Sequence, residues 1–428
     1  MPIRIVSLIL AASVLSVALT GCGGGGGSSG GSTTAAIPAS PASPASAASS
    51  PANAPASSPT ASAPASVPQS NTPNTQPIAV TSAPGLTRNM LTTSVTVCVP
   101  GTSNCATIDN IQVDTGSQGL RILASALPSS LQLAALPSGS GNAGECAVFG
   151  GGYTWGAVRS ADVQMAGQVA ASLPVQLIAD PSLPSVPSDC AGTGLAMQTT
   201  TTLRSNGILG VGLFAADCGS ACAASALPRW YYSCDASGAC QASMQPVAQQ
   251  VTNPVSAFPL DNNGVVIDLP PVPDAGASSV AGSLIFGIGT QADNVLGSVM
   301  VLKANTQSGY VSTTSNGQTY SLSYLDTGSN ALYIANAGMP ECGLWYCPTT
   351  TQAANAVIAG TDGTTAAVAF SVANSTSLFD SSNNAFDNLA GIASDSFGWG
   401  LPFFFGRRVY TAIEARVTSA GDGPYYAF

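Results

Sequence analysis

Asp114-Thr115-Gly116-Ser117 and Asp326-Thr327-Gly328-Ser329 are one tetrapeptide written twice, 212 residues apart. Aligned on the aspartates, Val113 lies over Leu325, Leu120 over Leu332 and Ile122 over Ile334, so each copy has apolar residues before and after it. An Asp-Thr-Gly turn at a strand end presents a carboxylate on a tight loop. Glycine permits close backbone approach there, and Thr and Ser can hydrogen-bond the carboxylate. A single copy reads as a turn, because Asp and Gly favour turns in general. Two copies in register imply two loops brought face to face, their carboxyl groups sharing one proton and a water molecule. The chemistry of such a pair is general acid-base attack of water on a carbonyl. Each copy then belongs to one of two similar lobes.

Composition removes most rival chemistries. The chain contains no histidine, which excludes Ser-His-Asp triads, Cys-His dyads and imidazole-ligated zinc. Lys303 is the only lysine and no Ser-x-x-Lys precedes it, so a Ser-Lys nucleophile has no home. With 20 acidic and 10 basic residues the net charge is −10, opposite to what phosphate neutralisation needs, and no nucleic-acid partner is expected. Calcium loops of the EF-hand type and Cys-x-x-Cys pairs are absent from the sequence, so no metal and no cofactor is expected.

The elements that must carry the two loops come after a long leader. Arg4 stands in a short basic region, Ile5 to about Ala18 is apolar, and Leu19-Thr20-Gly21-Cys22 follows. This is the pattern of a bacterial lipoprotein signal over residues 1–22, with Cys22 as the lipidated residue. Gly23 rather than Asp follows it, which by the usual sorting pattern points to the outer membrane of a Gram-negative cell envelope. Residues 23–84 are Gly/Ser, then Ala/Pro/Ser, with no aromatic residue and no charge, and read as a disordered tether. A flexible coil of about 60 residues spans about 40–45 Å. No later stretch is long and apolar enough to span a bilayer.

Beyond Cys22, ten cysteines remain. Cys98/Cys105, Cys218/Cys222, Cys234/Cys240 and Cys342/Cys347 are close pairs, leaving Cys146 and Cys190 to join. An even count in an exported chain reads as five disulfides, although Cys218, Cys222, Cys234 and Cys240 lie near enough to cross-pair. The roughly 340 positions after the tether exceed one small core, so two lobes are expected, 85–258 and 259–428. Alternating runs such as Ser94–Val99 and Asn110–Val113, bounded by turns such as Pro100-Gly101, make the class mostly β. Short helices are expected near Thr351 to Ile358 and Phe405 to Val409. Phe403-Phe404-Phe405 and Trp230-Tyr231-Tyr232 read as packing, and Asp162, Asp261 and Asp268 as solvated groups.

Together these features resemble the pepsin-like aspartic peptidases over essentially all of residues 90–420. Asn206-Gly207-Ile208-Leu209-Gly210-Val211-Gly212 is similar to the strand that threads behind that family's first catalytic loop. Phe149-Gly150-Gly151-Gly152-Tyr153-Thr154-Trp155-Gly156 resembles its flap hairpin, and Asn253–Phe258 followed by Gly282–Gly287 its bridge between lobes. Trp399–Tyr410 stands where the second lobe's matching strand is expected. Three positions depart from the pattern. Phe149 replaces the flap tyrosine, Arg121 replaces its tryptophan partner, and Gly400-Leu401-Pro402 replaces the second apolar-apolar-Gly element. The paired change suggests a new contact, Arg121 over the Phe149 ring.

The resemblance implies a bilobal pepsin-like double-ψ β-barrel architecture with the active-site cleft between lobes. It implies catalytic Asp114 and Asp326, loops locked by Thr115 and Thr327, and outer carboxylate oxygens bonded by Ser117 and Ser329, with Gly116 and Gly328 between. Phe149, Gly150, Gly151, Gly152, Tyr153, Trp155 and Arg121 form the implied flap and substrate-binding set. The implied activity is cleavage of polypeptide by a monomeric endopeptidase, held to the membrane through its lipid. The alternative is an inactive pepsin-like scaffold that binds peptide or envelope polymer, for which the departures at Arg121, Phe149 and Pro402 speak. A surface adhesin is a third reading, resting on the tether and acidic charge.

Overall fold

Strands are the main regular structure of residues 73–428, the part of the chain that the structure, a computed structural model, describes. The expected signal segment with Cys22 and the expected tether up to residue 72 lie outside the described residues. The mostly β class follows from alternation. In Leu91–Cys98, Val95 and Val97 face the core while Ser94 and Thr96 are partly exposed, and the strand pairs antiparallel with Cys105–Asp114.

Two sheets organise the described residues, one of 17 strands and one of nine. The larger holds all strands from Thr75–Val80 to Gly264–Leu269, and adds Val280–Phe286, Val301–Lys303, Arg407–Ala412 and Tyr425–Ala427. The smaller is built wholly from strands between Val311–Ser315 and Phe397–Trp399. The expected boundary between 258 and 259 is therefore crossed by a continuous sheet. One apolar cluster runs through both parts, from Ile78 and Val113 to Leu325, Trp399 and Phe404.

Thr75–Val80 corrects the reading of 23–84 as tether. It pairs antiparallel with Val280–Phe286 from Thr75 opposite Ile285 to Val80 opposite Val280, and meets Leu91 and Thr92 on its other side. Ile78 and Val80 are buried, so apolar burial and a strand partner some 200 residues away fix a segment whose composition looks like its leader. The two helices expected near 351–358 and 405–409 are also corrected. Gln352–Ala359 is a strand between Val311–Ser315 and Thr365–Val372, and Arg407–Ala412 pairs with Gly264–Leu269 and Tyr425–Ala427. Pairing on both sides outweighs the helix propensity of alanine there. The nearby helices are Ser375–Asp380, capped by the Asn374 side chain, and the 3-10 turn Leu401–Phe404.

All five disulfides form, with the pairing Cys98–Cys105, Cys146–Cys190, Cys218–Cys222, Cys234–Cys240 and Cys342–Cys347. Among the described residues no helix is long and apolar enough to cross a membrane.

Candidate active site at two repeated loops

Each Asp-Thr-Gly-Ser follows a strand and precedes another, and a third strand inserts between the two. Gly207–Val211 runs parallel to Cys105–Asp114 and antiparallel to Gln118–Leu123, placing Gly210 opposite both Asp114 and Gly119. Phe397–Trp399 repeats this, parallel to Gln318–Leu325 and antiparallel to Leu332–Ile334. Its continuation stays close to the loop, because Asp326 N–H donates to Trp399 O (2.9 Å) and Leu401 N–H to Ser329 O (2.7 Å). Gly400 permits this approach, since a Cβ there would lie 2.1 Å from Ala331 O. Pro402 sits in the first turn of the following 3-10 segment, where its missing N–H costs nothing.

The loops then lock across the repeat. Thr115 N–H donates to Thr327 Oγ1 (3.1 Å) and Thr327 N–H to Thr115 Oγ1 (3.0 Å). Each hydroxyl in turn donates across the pair, Thr115 to Leu325 O (3.3 Å) and Thr327 to Val113 O (2.8 Å). All four bonds are buried, which makes the arrangement stiff. Within each loop the carboxylate is held at both oxygens. Gly116 N–H and Ser117 Oγ donate to Asp114 at 2.8 and 2.5 Å, and Gly328 N–H and Ser329 Oγ donate to Asp326 at 2.7 and 2.6 Å.

Both glycines face the opposite carboxyl. A Cβ on Gly116 would lie 2.6 Å from Asp326 Cγ, and one on Gly328 would lie 2.5 Å from Asp114 Oδ1 and 3.0 Å from Asp326 Oδ1. The two Oδ1 atoms therefore share one small space. Asp114 is 6% exposed. Burial first, then the charge of Asp114 beside it, hold the Asp326 carboxyl well above the usual carboxylate range, against the Ser329 and Gly328 bonds that favour its ionised form. One proton thus belongs to the pair. Around it, burial pushes the Tyr333 hydroxyl up to about 12, and burial with the charge of Asp326 raises Tyr324 and Tyr426, leaving neutral phenols near the carboxyls.

The glycine-rich segment is a hairpin, Gly141–Phe149 paired with Gly152–Met165, turning through Gly150 and Gly151. Gly152 has φ +145°, and a Cβ there would lie 2.1 Å from Leu195 O, so only glycine fits. The Arg121 guanidinium lies over the Phe149 ring, 5.7 Å from its centroid, the contact expected from their joint change. Tyr153 and Trp155 are corrected as ligand-facing residues. Both are buried in a cluster with Cys146, Leu183 and Tyr232, and Trp155 Nε1 donates to Leu183 O (3.0 Å). Asp261, expected to be solvated, is 4% exposed and accepts from Gln168 and Gln291. Phe403, Phe404, Phe405, Tyr231 and Tyr232 are buried as expected of packing residues.

Several residues at the site escape sequence reasoning. Gln112 Nε2 donates to Gly328 O (3.0 Å), and Asn89 Nδ2 to Asn330 O (3.0 Å), so two residues from the first copy's part of the chain hold the second loop. Glu145 and Asp217 bind Arg121 in the interior. The available signal was Glu145, one of three glutamates in the chain and set in an otherwise uncharged strand. Two open cavities of ≈ 280 and ≈ 290 Å³ lie elsewhere, neither lined by Asp114 or Asp326.

The arrangement defines a mostly β protein with a paired, proton-sharing carboxyl centre built from a sequence repeat. Residues 70–428 match the family described as "Protein of unknown function (DUF3443)", and the chain belongs to that family. No curated protein matches it.

Proposed function

We propose that the protein is a membrane-tethered, pepsin-like aspartic endopeptidase. The observation that carries this reading is the cross-locked pair of Asp-Thr-Gly-Ser loops, whose carboxyls face one space and share a proton. The strand inserted behind each loop supports a double-ψ barrel in each lobe, with the cleft between them. In the reaction Asp114 takes a proton from water as the water oxygen bonds the peptide carbonyl carbon, and Asp326 gives its proton to the carbonyl oxygen. The resulting diol collapses as the C–N bond breaks. The proton on Asp114 passes to the leaving nitrogen and Asp326 recovers one from a diol hydroxyl, so the pair ends as it began. Leu19-Thr20-Gly21-Cys22 supports lipid attachment at Cys22 and an outer-membrane address.

The test is cleavage of an unstructured polypeptide by the full chain in detergent from pH 2 to 7, with a statine-type inhibitor as control. Asp114→Asn and Asp326→Asn should each reduce turnover by about 10³-fold or more, and the double change should be scarcely worse than either single one. A folded protein that binds peptide without cutting it at any pH would favour the scaffold reading, to which the missing hydroxyl at Phe149 already lends support.

A further inference from the structure

We infer that Arg121, Glu145 and Asp217 form a one-proton positioning cluster, which fastens the Gly141–Met165 hairpin to the chain leaving the first catalytic loop and loosens as pH rises. The geometry joins three elements. Arg121 lies on Gln118–Leu123, directly after Ser117, and its Nη1 donates to Gln118 O (2.7 Å). Its Nη2 donates to Glu145 Oε1 (2.5 Å), inside the hairpin's first strand, and to Asp217 Oδ2 (3.1 Å), in the loop beyond the inserted strand. The same guanidinium covers Phe149 at the hairpin's end. Arg121 therefore grips the hairpin at two points four residues apart.

Charge counting supplies the proton. The side chains of Arg121, Glu145 and Asp217 are 3%, 0% and 4% exposed, and one guanidinium against two carboxylates would leave a buried negative charge. The remaining titratable neighbour is Tyr231, whose hydroxyl donates to Asp217 Oδ1 (2.6 Å) and accepts from Val251 N–H (2.7 Å). Its pKa is itself raised, by burial and then by the two carboxylates, so it stays neutral. Glu145 Oε2 is buried with no hydrogen-bond donor facing it, and Asp217 is near enough for the two carboxyls to bond through a single proton. Burial, then Glu145, hold Asp217 well above the usual carboxylate range. A group raised in this way favours the closed hairpin below the ordinary carboxylate pKa, and that support is lost as pH rises to the raised value.

Hydrogen exchange on the full chain tests this without requiring peptidase activity, so it remains decisive if the proposed function fails. After correction for intrinsic rates, opening of residues 141–165 should increase about tenfold per pH unit between the ordinary and the raised carboxylate pKa, then level off. Glu145→Gln keeps Oε1 for Arg121 and puts a permanent donor toward Asp217, so this rise should vanish. Asp217→Asn is the second variant should that chain not fold, with the same expected result. Arg121→Lys keeps the charge but loses the fork, and should raise opening at every pH. If the peptidase reading holds, Glu145→Gln should also carry the basic limb of kcat/KM to higher pH. Wild-type opening that ignores pH, a rise unchanged in both amide variants, or wild-type protection in Arg121→Lys would overturn the inference.

Discussion

Asp326→Asn should make the protein more stable at neutral pH while removing the carboxyl proposed as its catalytic acid. In the native chain the Asp326 carboxyl titrates well above its unfolded value, chiefly because it is buried beside Asp114. Between those two values the native state keeps a proton that the unfolded chain has released. Its contribution to stability is therefore complete below about pH 4 and is lost as pH rises through the native pKa. One proton corresponds to about 1.4 kcal/mol per pH unit. Asparagine can keep the Gly328 N–H bond and can donate to Ser329 Oγ, so the bond count at the loop is preserved. The difference in stability between the two chains should then grow by about 1.4 kcal/mol per pH unit across the window, or about 2 °C in Tm for a chain of this size. Asp217 and Asp387, whose carboxyls are also raised, titrate alike in both chains and cancel. Urea unfolding at single-unit steps from pH 3 to 7 measures the difference. A constant offset across pH 4–7 would show that Asp326 holds no extra proton, and the shared-proton account of the pair would fall with it.

Two further outcomes are expected. Thr115→Val and Thr327→Val each break bonds on both loops, so a double-mutant cycle in urea should give a coupling of about 1 kcal/mol or more, whereas independent hydroxyls would give additive losses. A chain begun at residue 73 should unfold cooperatively near the full chain's midpoint, whereas one begun at 85 loses Thr75–Val80 and its register with Val280–Phe286 and should melt several degrees lower. Equal midpoints would return that segment to the tether.

What could be read in the sequence was what the chain repeats or spaces locally. The two tetrapeptides carry their own turn chemistry, and four of the disulfides join cysteines four to seven residues apart, which left Cys146 and Cys190 for each other. Phe149 and Arg121 were legible together because each departs from a pattern whose two positions touch. Thr75–Val80 was hidden because its pairing partner comes two hundred residues later, and the alanines of Gln352–Ala359 suggested a helix until strands on both sides claimed their backbone. Trp155 looked available for ligand because sequence distance from the hairpin turn does not reveal which face of the strand is buried.

Glu145 is the more instructive miss. A lone glutamate in a strand announces a cost and not its remedy, for the compensating groups come from residues 24 and 72 positions away. The sequence aligns Asp114 with Asp326 because both loops descend the same pattern, but nothing repeats Arg121, whose counterpart in the second copy is Tyr333. Tyr333 there donates to Asn330 Oδ1 (2.8 Å) and packs against Trp345, a neutral side chain where the first copy has a guanidinium. The symmetric part of the site sets where two carboxyls meet. The asymmetric part fastens a hairpin at the first copy only, where the second copy places the neutral phenol of Tyr333.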